Sequence, residues 1–201
     1  MKRAFDIVFA LAGLIVTAPV LIYIIIKMKR RGGGPVFYVA ERMKTPQQPF
    51  NLIKFRTMTM APATRNTGVT GGDKSDRITP LGRTLRRYRL DELPQLVNIL
   101  KGDMSIVGPR PPLRQYTDAF PEIYTAVLKS RPGITGLATL HYHRHEERLI
   151  AAATTPQETE QIYATRCVPR KAALDLIYQR NASVCFDALI LWQTVRRVLG
   201  R

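Results

Sequence analysis

The stretch "IVFALAGLIVTAPVLIYIII", from Ile7 to Ile26, carries no charged residue. As an α-helix rising about 1.5 Å per residue, it would be roughly 30 Å long, which is the thickness of a bilayer's hydrocarbon core. A secretory signal peptide has a shorter apolar part and ends in a small-residue cleavage site, which the following "KMKRRGGGP" does not provide. The sequence therefore predicts a retained, membrane-associated helix.

Pro19 lies inside this apolar run. Its ring removes the amide that would bond the Ile15 carbonyl, so the helix is expected to break or bend there. Basic residues, which favour the cytoplasmic side, flank both ends; they are Lys2, Arg3, Lys27, Lys29, Arg30 and Arg31. The two features together favour a re-entrant helix that enters and leaves by one leaflet. A plain span and a buried helix of a soluble domain remain alternatives.

The C-terminal stretch "CFDALILWQTVRRVLGR" has apolar residues at helical spacing, with arginines near the water side. An amphipathic helix that carries tryptophan and arginine can lie in a membrane interface. A terminal helix that packs on its own domain has the same pattern, and the sequence does not choose between the two. The apolar positions are Leu191, Trp192, Val195, Val198 and Leu199.

The chain has 201 residues, enough for one domain, and a formal net charge of +16. Such an excess implies an anionic partner: nucleic acid, an anionic membrane surface or a phosphorylated substrate. Nucleic acid is disfavoured, because aromatic residues make up only 8% and no nucleic-acid-binding module is recognisable. The two cysteines have neither metal-ligand nor disulfide-framework spacing.

Between the termini, the pattern predicts an α+β, predominantly helical fold with a small β-hairpin and interfacial amphipathic helices. "PVFYVA" and "PFNLIKFRTM" form the expected hairpin around "KTPQQP", and residues 59–76 read as a long loop. Thr79 is expected to cap the next helix, and Gly102 to end the one after it. "RPGITGLATLHYH" has β character, with a longer helical region expected from Glu146. The predicted division is 1–31, a membrane helix with its basic flank, and 32–201, a cytosolic catalytic domain.

Asp91 and Glu92 follow a cluster of arginines in "RRYRLDELPQ". Asp91 is predicted to be the N-cap of a helix, where the helix dipole and the arginines would lower its pKa and keep it ionised. An ionised carboxylate can attack phosphorus or bind magnesium. A cap with surface salt bridges explains the same pattern.

Lys54 and Arg110 admit two interpretations in the same way. Arg110 lies in the proline-rich turn "VGPRPP", and its planar guanidinium suits a phosphate. Lys54 lies on a predicted strand. Either residue could instead be an ordinary solvated side chain.

Several motifs in order make a more specific pattern than any one of them. They are "KRAFDIVFA", "GPVFYVAERM", "FNLIKFRTM", "DRITPLGRTLRR", "LDELPQLVNILKGDMSIVGPRPP", "RPGITGLA", "LDLIYQRNAS" and "DALILWQTV". Over nearly its whole length the chain resembles the bacterial sugar transferase family, the monotopic polyprenyl-phosphate phosphoglycosyl transferases, in a minimal catalytic-domain form.

The resemblance implies a Mg²⁺-dependent enzyme on the cytoplasmic face of the bacterial inner membrane. Such enzymes transfer a sugar 1-phosphate from a nucleoside diphosphate sugar, usually a UDP-sugar, to undecaprenyl phosphate, and release UMP. A covalent aspartyl-phosphosugar intermediate forms on the way, in the first membrane step of glycan assembly. Partners would be the UDP-sugar, polyprenyl phosphate and anionic phospholipid, with a possible homo-oligomer. The alternative is a membrane-anchored basic nucleic-acid-binding or scaffold protein without catalysis.

By the same resemblance, Asp91 is the nucleophile and a magnesium ligand, and Glu92 is its partner. Pro19 becomes the helix break. The remaining matches lie near the phosphates or the site; they are Lys54, Arg86, Arg110 and Asp175.

The chain departs from the family pattern at three places. Where many members read Gly-Trp-Ala-Gln after "PGITG", this chain reads "GLAT" at residues 136–139. Ala18 stands where a serine often precedes the membrane proline, and His143 stands, with Arg144 next to it, where an arginine is usual after the "PGITG" strand; either could contact the sugar phosphate. His141, His143 and His145 would share one face of a strand, as substrate contacts, surface residues or a metal site. The sequence does not predict which sugar is transferred.

Overall fold

The computed structural model describes residues 1–31, 34–59 and 77–200, so most of the predicted loop at 59–76 lies outside the described residues. The helices are α1 (Lys2–Arg31), α2 (Pro80–Arg87), α3 (Gln95–Lys101), α4 (Arg114–Ala119), α5 (Pro121–Val127), α6 (Leu137–Ala151), α7 (Pro156–Ile162), α8 (Val168–Arg180) and α9 (Val184–Leu199). The strands are β1 (Phe37–Met43), β2 (Pro49–Phe55), β3 (Ser105–Val107) and β4 (Gly133–Thr135). With 65% of residues in helices and a small antiparallel hairpin, the predicted α+β, predominantly helical class with a β-hairpin is confirmed.

Helix α1 continues through Pro19, so the predicted break does not interrupt the helix there, and α1 packs along the domain near both of its ends. Its buried residues are Asp6 and Ala10 near the start and Ile24 and Met28 near the end. A helix of 30 residues is about 45 Å long, so contacts so far apart mean that it lies along the domain. A span held at only one end would not make both sets of contacts.

The opposite face of α1 is apolar and exposed. This helix is long and apolar enough to cross a membrane, and only 11% of its most apolar window is buried. That low burial does not fit the alternative of a core helix in a soluble domain. The large exposed residues are Val8, Phe9, Leu11, Ile15, Val16, Val20, Ile22, Tyr23 and Ile26.

Two polar residues fix the start of α1 to the domain. Asp6 Oδ1 accepts hydrogen bonds from the Ser105 hydroxyl at 2.8 Å and from the Ile106 amide at 3.0 Å. Lys2 Nζ lies 2.6 Å from Oδ2 of Asp187 on α9, whose side chain is fully buried. Burial of an ionised carboxylate costs much less free energy when the group is paired in this way. The first and last helices are therefore joined directly.

The β1–β2 hairpin forms around the predicted turn. The strands are antiparallel, and Tyr38 lies opposite Lys54. The Asn98 side chain on α3 holds β2 in place, because it accepts from the Ile53 amide at 3.0 Å and donates to the Asn51 carbonyl at 2.7 Å. The hairpin prediction is confirmed, and the contact with α3 fixes where Lys54 lies.

The segment between α2 and α3 differs from the prediction. Thr79 caps α2 as expected, with its hydroxyl accepting from the Gly82 amide at 3.0 Å. Arg89 then adopts a left-handed conformation (φ 58°), and a short 3-10 turn, Leu90–Glu92, precedes α3. Pro94, not Asp91, occupies the N-cap position of α3. The prediction that Asp91 caps this helix is wrong, because the left-handed residue ends the preceding helix early and a separate turn fills the gap.

Helix α3 ends at Gly102 in a left-handed conformation (φ 88°), as predicted. The next segment is β3, which pairs in parallel with β4. The two strands approach so closely that a Cβ atom on Gly133 would lie 2.2 Å from the Gly108 nitrogen. Only glycine fits there, and this tight contact directs the turn that follows β3 and carries Arg110.

The region after β4 is helical earlier than predicted. Helix α6 already begins at Leu137, so the β character expected for "LATLHYH" is wrong, as is a helical start at Glu146. His141, His143 and His145 lie on this helix, not on a strand. At about 3.6 residues per turn, His143 faces away from the other two. The extended Gly136 ends the strand directly and leaves the good helix formers after it free to wind.

Helix α9 begins at Ser183, whose hydroxyl accepts from the Phe186 amide at 3.2 Å. One side of this helix packs on the domain through Ile190, which is 1% exposed. The other side leaves Leu189 and Val195 exposed, with Trp192 at 65%. The packing of a terminal helix on its own domain is thus confirmed for one face of α9, and the interfacial role of the exposed face stays a prediction.

Candidate active site

A cavity of about 1010 Å³ lies between the hairpin, the 3-10 turn and helices α4 to α8. Its volume is at the upper end of the range for small-molecule sites, about 300–1,000 Å³. The structure brings seven of the residues predicted from the sequence to its lining. They are Lys54, Arg86, Asp91, Glu92, Arg110, His143 and Asp175.

Glu92 is held by two arginines. Its Oε1 lies 2.9 Å from Nη2 of Arg110 and 3.3 Å from Nη1 of Arg89. Burial alone would raise the pKa of Glu92, but the two guanidinium groups outweigh burial and hold that pKa at about 2. In return, Glu92 raises the pKa of Arg110. The pair is therefore fully charged across the physiological range.

Asp91 is buried beside Glu92 and has a free oxygen. Within the described part of the chain, its Oδ1 atom has no hydrogen-bond partner. Burial, and next the charge of Glu92, raise the pKa of Asp91, while Lys54, Arg86 and Arg89 act in the opposite direction. The expectation of a lowered pKa is wrong for the protein alone, because burial and the adjacent carboxylate outweigh the arginines.

A buried carboxylate with an unused oxygen is costly for stability and suited to chemistry. It gains its full set of partners only when a ligand or a cation arrives. Asp91 is therefore a candidate for reaction with a ligand bound in the cavity.

Lys54 contributes an ammonium group whose charge is poorly stabilised. Its Nζ lies 5.4 Å from the centroid of the Tyr38 ring across the hairpin. Burial, followed by the nearby charges of Arg110 and Arg42, lowers the pKa of Lys54 to about 8. An anion that entered the cavity would offset this repulsion, so Lys54 is poised to bind one.

Arg86 lies at the end of α2 and donates from Nε to the Thr57 hydroxyl at 2.9 Å. This bond uses only Nε and does not engage the two terminal nitrogens of the guanidinium. Arg87 and Arg89, from the arginine cluster that precedes the carboxylate pair, line the same cavity, and so do Arg42 and Arg83, which the sequence reasoning missed. For Arg42, strand alternation was the available signal, since Tyr38 pairs with Lys54 and residues 38 and 42 share a face of β1.

His143 and Arg144, the two alternatives for a sugar-phosphate contact, lie on different surfaces. His143 lines the cavity, and its Nε2 is 3.3 Å from Oε1 of Glu147. Burial is the main reason that the pKa of His143 is lowered. Arg144 lines a separate depression with Arg196 and Arg197. Of the two residues, the structure brings only His143 into the cavity.

Asp175, on α8, lines the cavity and is buried. Its Oδ1 has no partner among the residues that the structure describes, whereas the Ala138 amide donates to the carboxyl group. Burial raises the pKa of Asp175 to about 7, although Lys171 and the Ala138 amide both oppose the rise. The helical side of the cavity thus offers a carboxyl group that is partly protonated near neutral pH.

The sequence matches the bacterial sugar transferase family over residues 1–201. The chain belongs to the bacterial sugar transferase family.

Among similar members of this family, the uncharacterised sugar transferase EpsL of Bacillus subtilis is 34% identical over 99% of this chain and 87% of its own. The undecaprenyl-phosphate galactose phosphotransferase of Salmonella typhimurium is 38% identical over 100% of this chain. The UDP-glucose:undecaprenyl-phosphate glucose-1-phosphate transferase of Escherichia coli is 35% identical over 97% of this chain. The chain spans only 41% and 39% of the last two proteins.

This membership confirms the predicted family and the predicted enzyme class, phosphoglycosyl transferase. The alternative of a binding or scaffold protein without catalysis loses support, because the cavity retains both carboxylates of the sugar transferase pattern. Family membership does not test the individual site residues, and their roles are proposals.

The carboxylates of this sugar transferase suit a magnesium ion. Within residues 1–31, 34–59 and 77–200, no group of three or more histidine, cysteine or acidic side chains could hold a metal. Mg²⁺ needs no such group, since proteins commonly bind it through one or two carboxylates together with substrate phosphates. Asp91, with its unpartnered Oδ1, and the adjacent Glu92 fit this mode.

Proposed function

We propose that this enzyme transfers a sugar 1-phosphate from a UDP-sugar to undecaprenyl phosphate and releases UMP, as the first membrane step in assembly of a glycan. The observation that carries the proposal is the position of Asp91. Its carboxylate is buried, has an unpartnered oxygen and lies among cations in a cavity of about 1010 Å³. The names of the relatives support the acceptor lipid and the type of group transferred.

In the first step, an oxygen of Asp91 attacks the β-phosphorus of the UDP-sugar. The bond between that phosphorus and the bridging oxygen breaks, and its electron pair leaves with UMP. The sugar phosphate is then attached to Asp91 as an acyl phosphate. Approach of a carboxylate to a pyrophosphate requires cations that offset the repulsion, and Lys54, Arg86 and Arg89 already act on Asp91 in this sense.

In the second step, a phosphate oxygen of undecaprenyl phosphate attacks the same phosphorus. The bond from phosphorus to Asp91 breaks, its electrons return to the carboxylate, and a polyprenyl diphosphate sugar is formed. Glu92 remains paired with Arg110 throughout and keeps that guanidinium directed at the phosphates. Bound Mg²⁺, held by Asp91 and Glu92, would neutralise phosphate charge.

The membrane half of the proposal rests on α1 and α9. Residues 1–31 would supply the membrane part and residues 32–201 the catalytic part, on the cytoplasmic face. Helix α1 has an apolar exposed face, and its buried residues contact the domain near both ends. In the proposed re-entrant arrangement, both basic flanks would lie at the same membrane surface. The exposed Trp192 face of α9 would rest in the interface.

The chemistry is tested by assay of Mg²⁺-dependent UMP release from UDP-sugars with undecaprenyl phosphate added. The wild-type protein should release UMP, and a radiolabelled sugar phosphate should remain on the chain when the lipid is omitted. Asp91→Asn should abolish both the release and the labelling. Full activity of Asp91→Asn would rule out the covalent mechanism.

The topology is tested by cysteine labelling from one side of sealed vesicles. Single cysteines placed at the exposed positions Ala4 and Arg31 should both react from the cytoplasmic side, in a background with Cys167 and Cys185 replaced by serine. Reaction from opposite sides would show a plain span and overturn the re-entrant arrangement.

A further inference from the structure

The cavity has two chemically different sides. The side formed by the hairpin, α2 and the 3-10 turn is strongly cationic around Asp91 and Glu92. The side formed by α5, α6, α8 and the segment before α8 carries hydroxyl, carboxyl and ammonium groups together. These groups belong to Tyr124, Glu146, Tyr163, Lys171 and Asp175. Phosphates suit the first side, and the second side needs another occupant.

Glu146, Tyr163 and Lys171 form one hydrogen-bonded cluster on this second side. Lys171 Nζ lies 3.1 Å from each carboxylate oxygen of Glu146 and 3.2 Å from the Tyr163 hydroxyl. The side chains of Lys171 and Glu146 are 13% and 18% exposed. The cluster is therefore a largely desolvated arrangement that still reaches the cavity.

After these internal contacts, the cluster keeps a defined set of unused hydrogen-bond donors and acceptors. An ammonium has three donors, and Lys171 directs them at three protein oxygens. The Glu146 carboxylate keeps unused lone pairs, and Tyr163, which accepts from Lys171, keeps its own hydroxyl proton to donate. The cluster thus presents acceptors and a donor side by side. A sugar hydroxyl matches both, whereas a phosphate, which only accepts, would be repelled by Glu146.

Tyr163 has a distinctive backbone position. It begins a π-helical turn, Tyr163–Cys167, between α7 and α8, and such turns occur frequently at functional sites. Its ring lies 4.9 Å from the Tyr116 ring, and Lys171 Nζ lies 5.0 Å from its centroid. With neighbours already around the ring, the hydroxyl is the part of Tyr163 available to a ligand, and the ring is poorly placed to stack on a nucleobase.

We propose that the Glu146–Tyr163–Lys171 cluster is the subsite that reads the sugar of the nucleotide sugar. Glu146 accepts hydrogen bonds from sugar hydroxyls, Tyr163 donates one, and Lys171 is a positioning residue that holds the other two. The inference rests on the proposed function, in which the sugar is attached directly to the phosphate that Asp91 attacks. The cationic side then holds the diphosphate.

The test compares sugars that differ at one hydroxyl. UMP release is measured with UDP-glucose and UDP-galactose, which are epimers at C4, and with their N-acetyl counterparts, for the wild type, Tyr163→Phe and Glu146→Gln. Tyr142→Phe and Glu122→Gln are matched controls, since neither residue lines the cavity. Inhibition by UMP is measured in parallel, because UMP carries the nucleotide and one phosphate but no transferred sugar.

We expect the ratio of kcat/KM between the preferred sugar and its epimer to change about tenfold or more in Tyr163→Phe and Glu146→Gln, because a site built around a hydroxyl discriminates through it. UMP inhibition should change less than about twofold, and the controls should match the wild type. An unchanged epimer ratio in both variants overturns the proposal. Weaker UMP inhibition at an unchanged ratio would assign the cluster to the nucleoside instead.

Two further outcomes are separable from these. If the wild type releases UMP from none of the UDP-sugars, the proposed function fails before the subsite is at issue. If Glu146→Gln loses its cooperative thermal unfolding, Tyr163→Phe alone decides, since it removes one oxygen and keeps the ring against Tyr116.

Discussion

Nη2 of Arg110 lies 2.9 Å from Oε1 of Glu92, while the neighbouring Asp91 keeps an oxygen without a partner in the described structure. The pKa values of two adjacent carboxyl groups in one cavity are thus shifted in opposite directions. The pKa of Glu92 is lowered to about 2 by its arginines, and the pKa of Asp91 is raised by burial. This difference supports the proposal that Glu92 has an electrostatic role and that Asp91 forms the bond to phosphorus.

Replacement of Arg110 by methionine should lower kcat/KM for UMP release about 100-fold or more. The substitution removes a phosphate-binding charge and leaves Glu92 with only Arg89, at 3.3 Å. Loss of one preorganised charged donor typically costs two to three orders of magnitude in rate. The control is Arg114→Met, which breaks the exposed pair with Glu41 at 3.0 Å and should leave activity unchanged. Near-normal activity of Arg110→Met would contradict the assigned role.

The pH profile of kcat/KM should be bell-shaped. Asp91 must be ionised to attack, and its raised pKa places the acid limb above the ordinary aspartate value of 3.8. Lys54 must be protonated to bind phosphate, and its pKa of about 8 places the alkaline limb near pH 8. Activity should therefore fall as pH drops through the first pKa and as it rises through the second.

The Lys54→Arg variant tests whether Lys54 is the group that titrates in the alkaline limb, since a guanidinium stays protonated throughout the range. The alkaline limb should disappear in this variant or move well above pH 8. Lys129→Arg, at an exposed position, is the control and should keep the limb. If the limb persists in Lys54→Arg, another group titrates there.

Lys2→Met should destabilise the protein by about 3 kcal/mol, because it leaves the buried Asp187 carboxylate without its cation. Tyr178 still donates to Asp187 Oδ1 at 2.6 Å, which limits the loss. The measurement is chemical unfolding in detergent, with Lys129→Met as the matched control. Equal unfolding free energies for the two variants would show that the ion pair contributes nothing to stability.

Trp192 is the single tryptophan of the chain and is 65% exposed on α9. If this face rests in a membrane interface, its fluorescence should shift to shorter wavelength when anionic vesicles are added, and brominated lipids should quench it. The apolar face, and not charge alone, should be responsible. Leu189→Ser should therefore weaken the shift, whereas Gln115→Ser, far from α9 in sequence, should not. An emission maximum that does not respond to vesicles would remove α9 from the membrane contact.

Local signals in the sequence predicted the local structure well. The Thr79 cap and the Gly102 stop depend on neighbours within a few residues. The local structure around Asp91 was harder to predict, because Arg89 adopts a left-handed conformation and Asp91 does not become the N-cap of α3. The direction of its pKa shift was missed for a related reason: burial depends on packing between distant segments, which the arginines in sequence do not reveal.

On the helical side of the cavity, His143 and Asp175 were predicted from the sequence, but the Glu146–Tyr163–Lys171 cluster was not. Glu146 and Lys171 are 25 residues apart in sequence, and Tyr163 is 8 residues from Lys171. They meet only because α6 packs against α8 and the π-helical turn. No spacing rule connects such residues, whereas Asp91 and Glu92 are adjacent and sit in a recognisable motif. Contacts between helices brought this cluster together.

The polar contacts of α1 also constrain how the protein is made. The hydrogen-bond partners of Asp6 lie 99 and 100 residues later in the chain, and the ion-pair partner of Lys2 lies 185 residues later. When α1 leaves the ribosome, none of these partners has been synthesised, so its charged side chains must stay hydrated. Its apolar face would already favour contact with lipid at that stage. Folding of the core is therefore completed only after synthesis of α9, and truncation before Asp187 should yield a membrane-bound chain that cannot close its core.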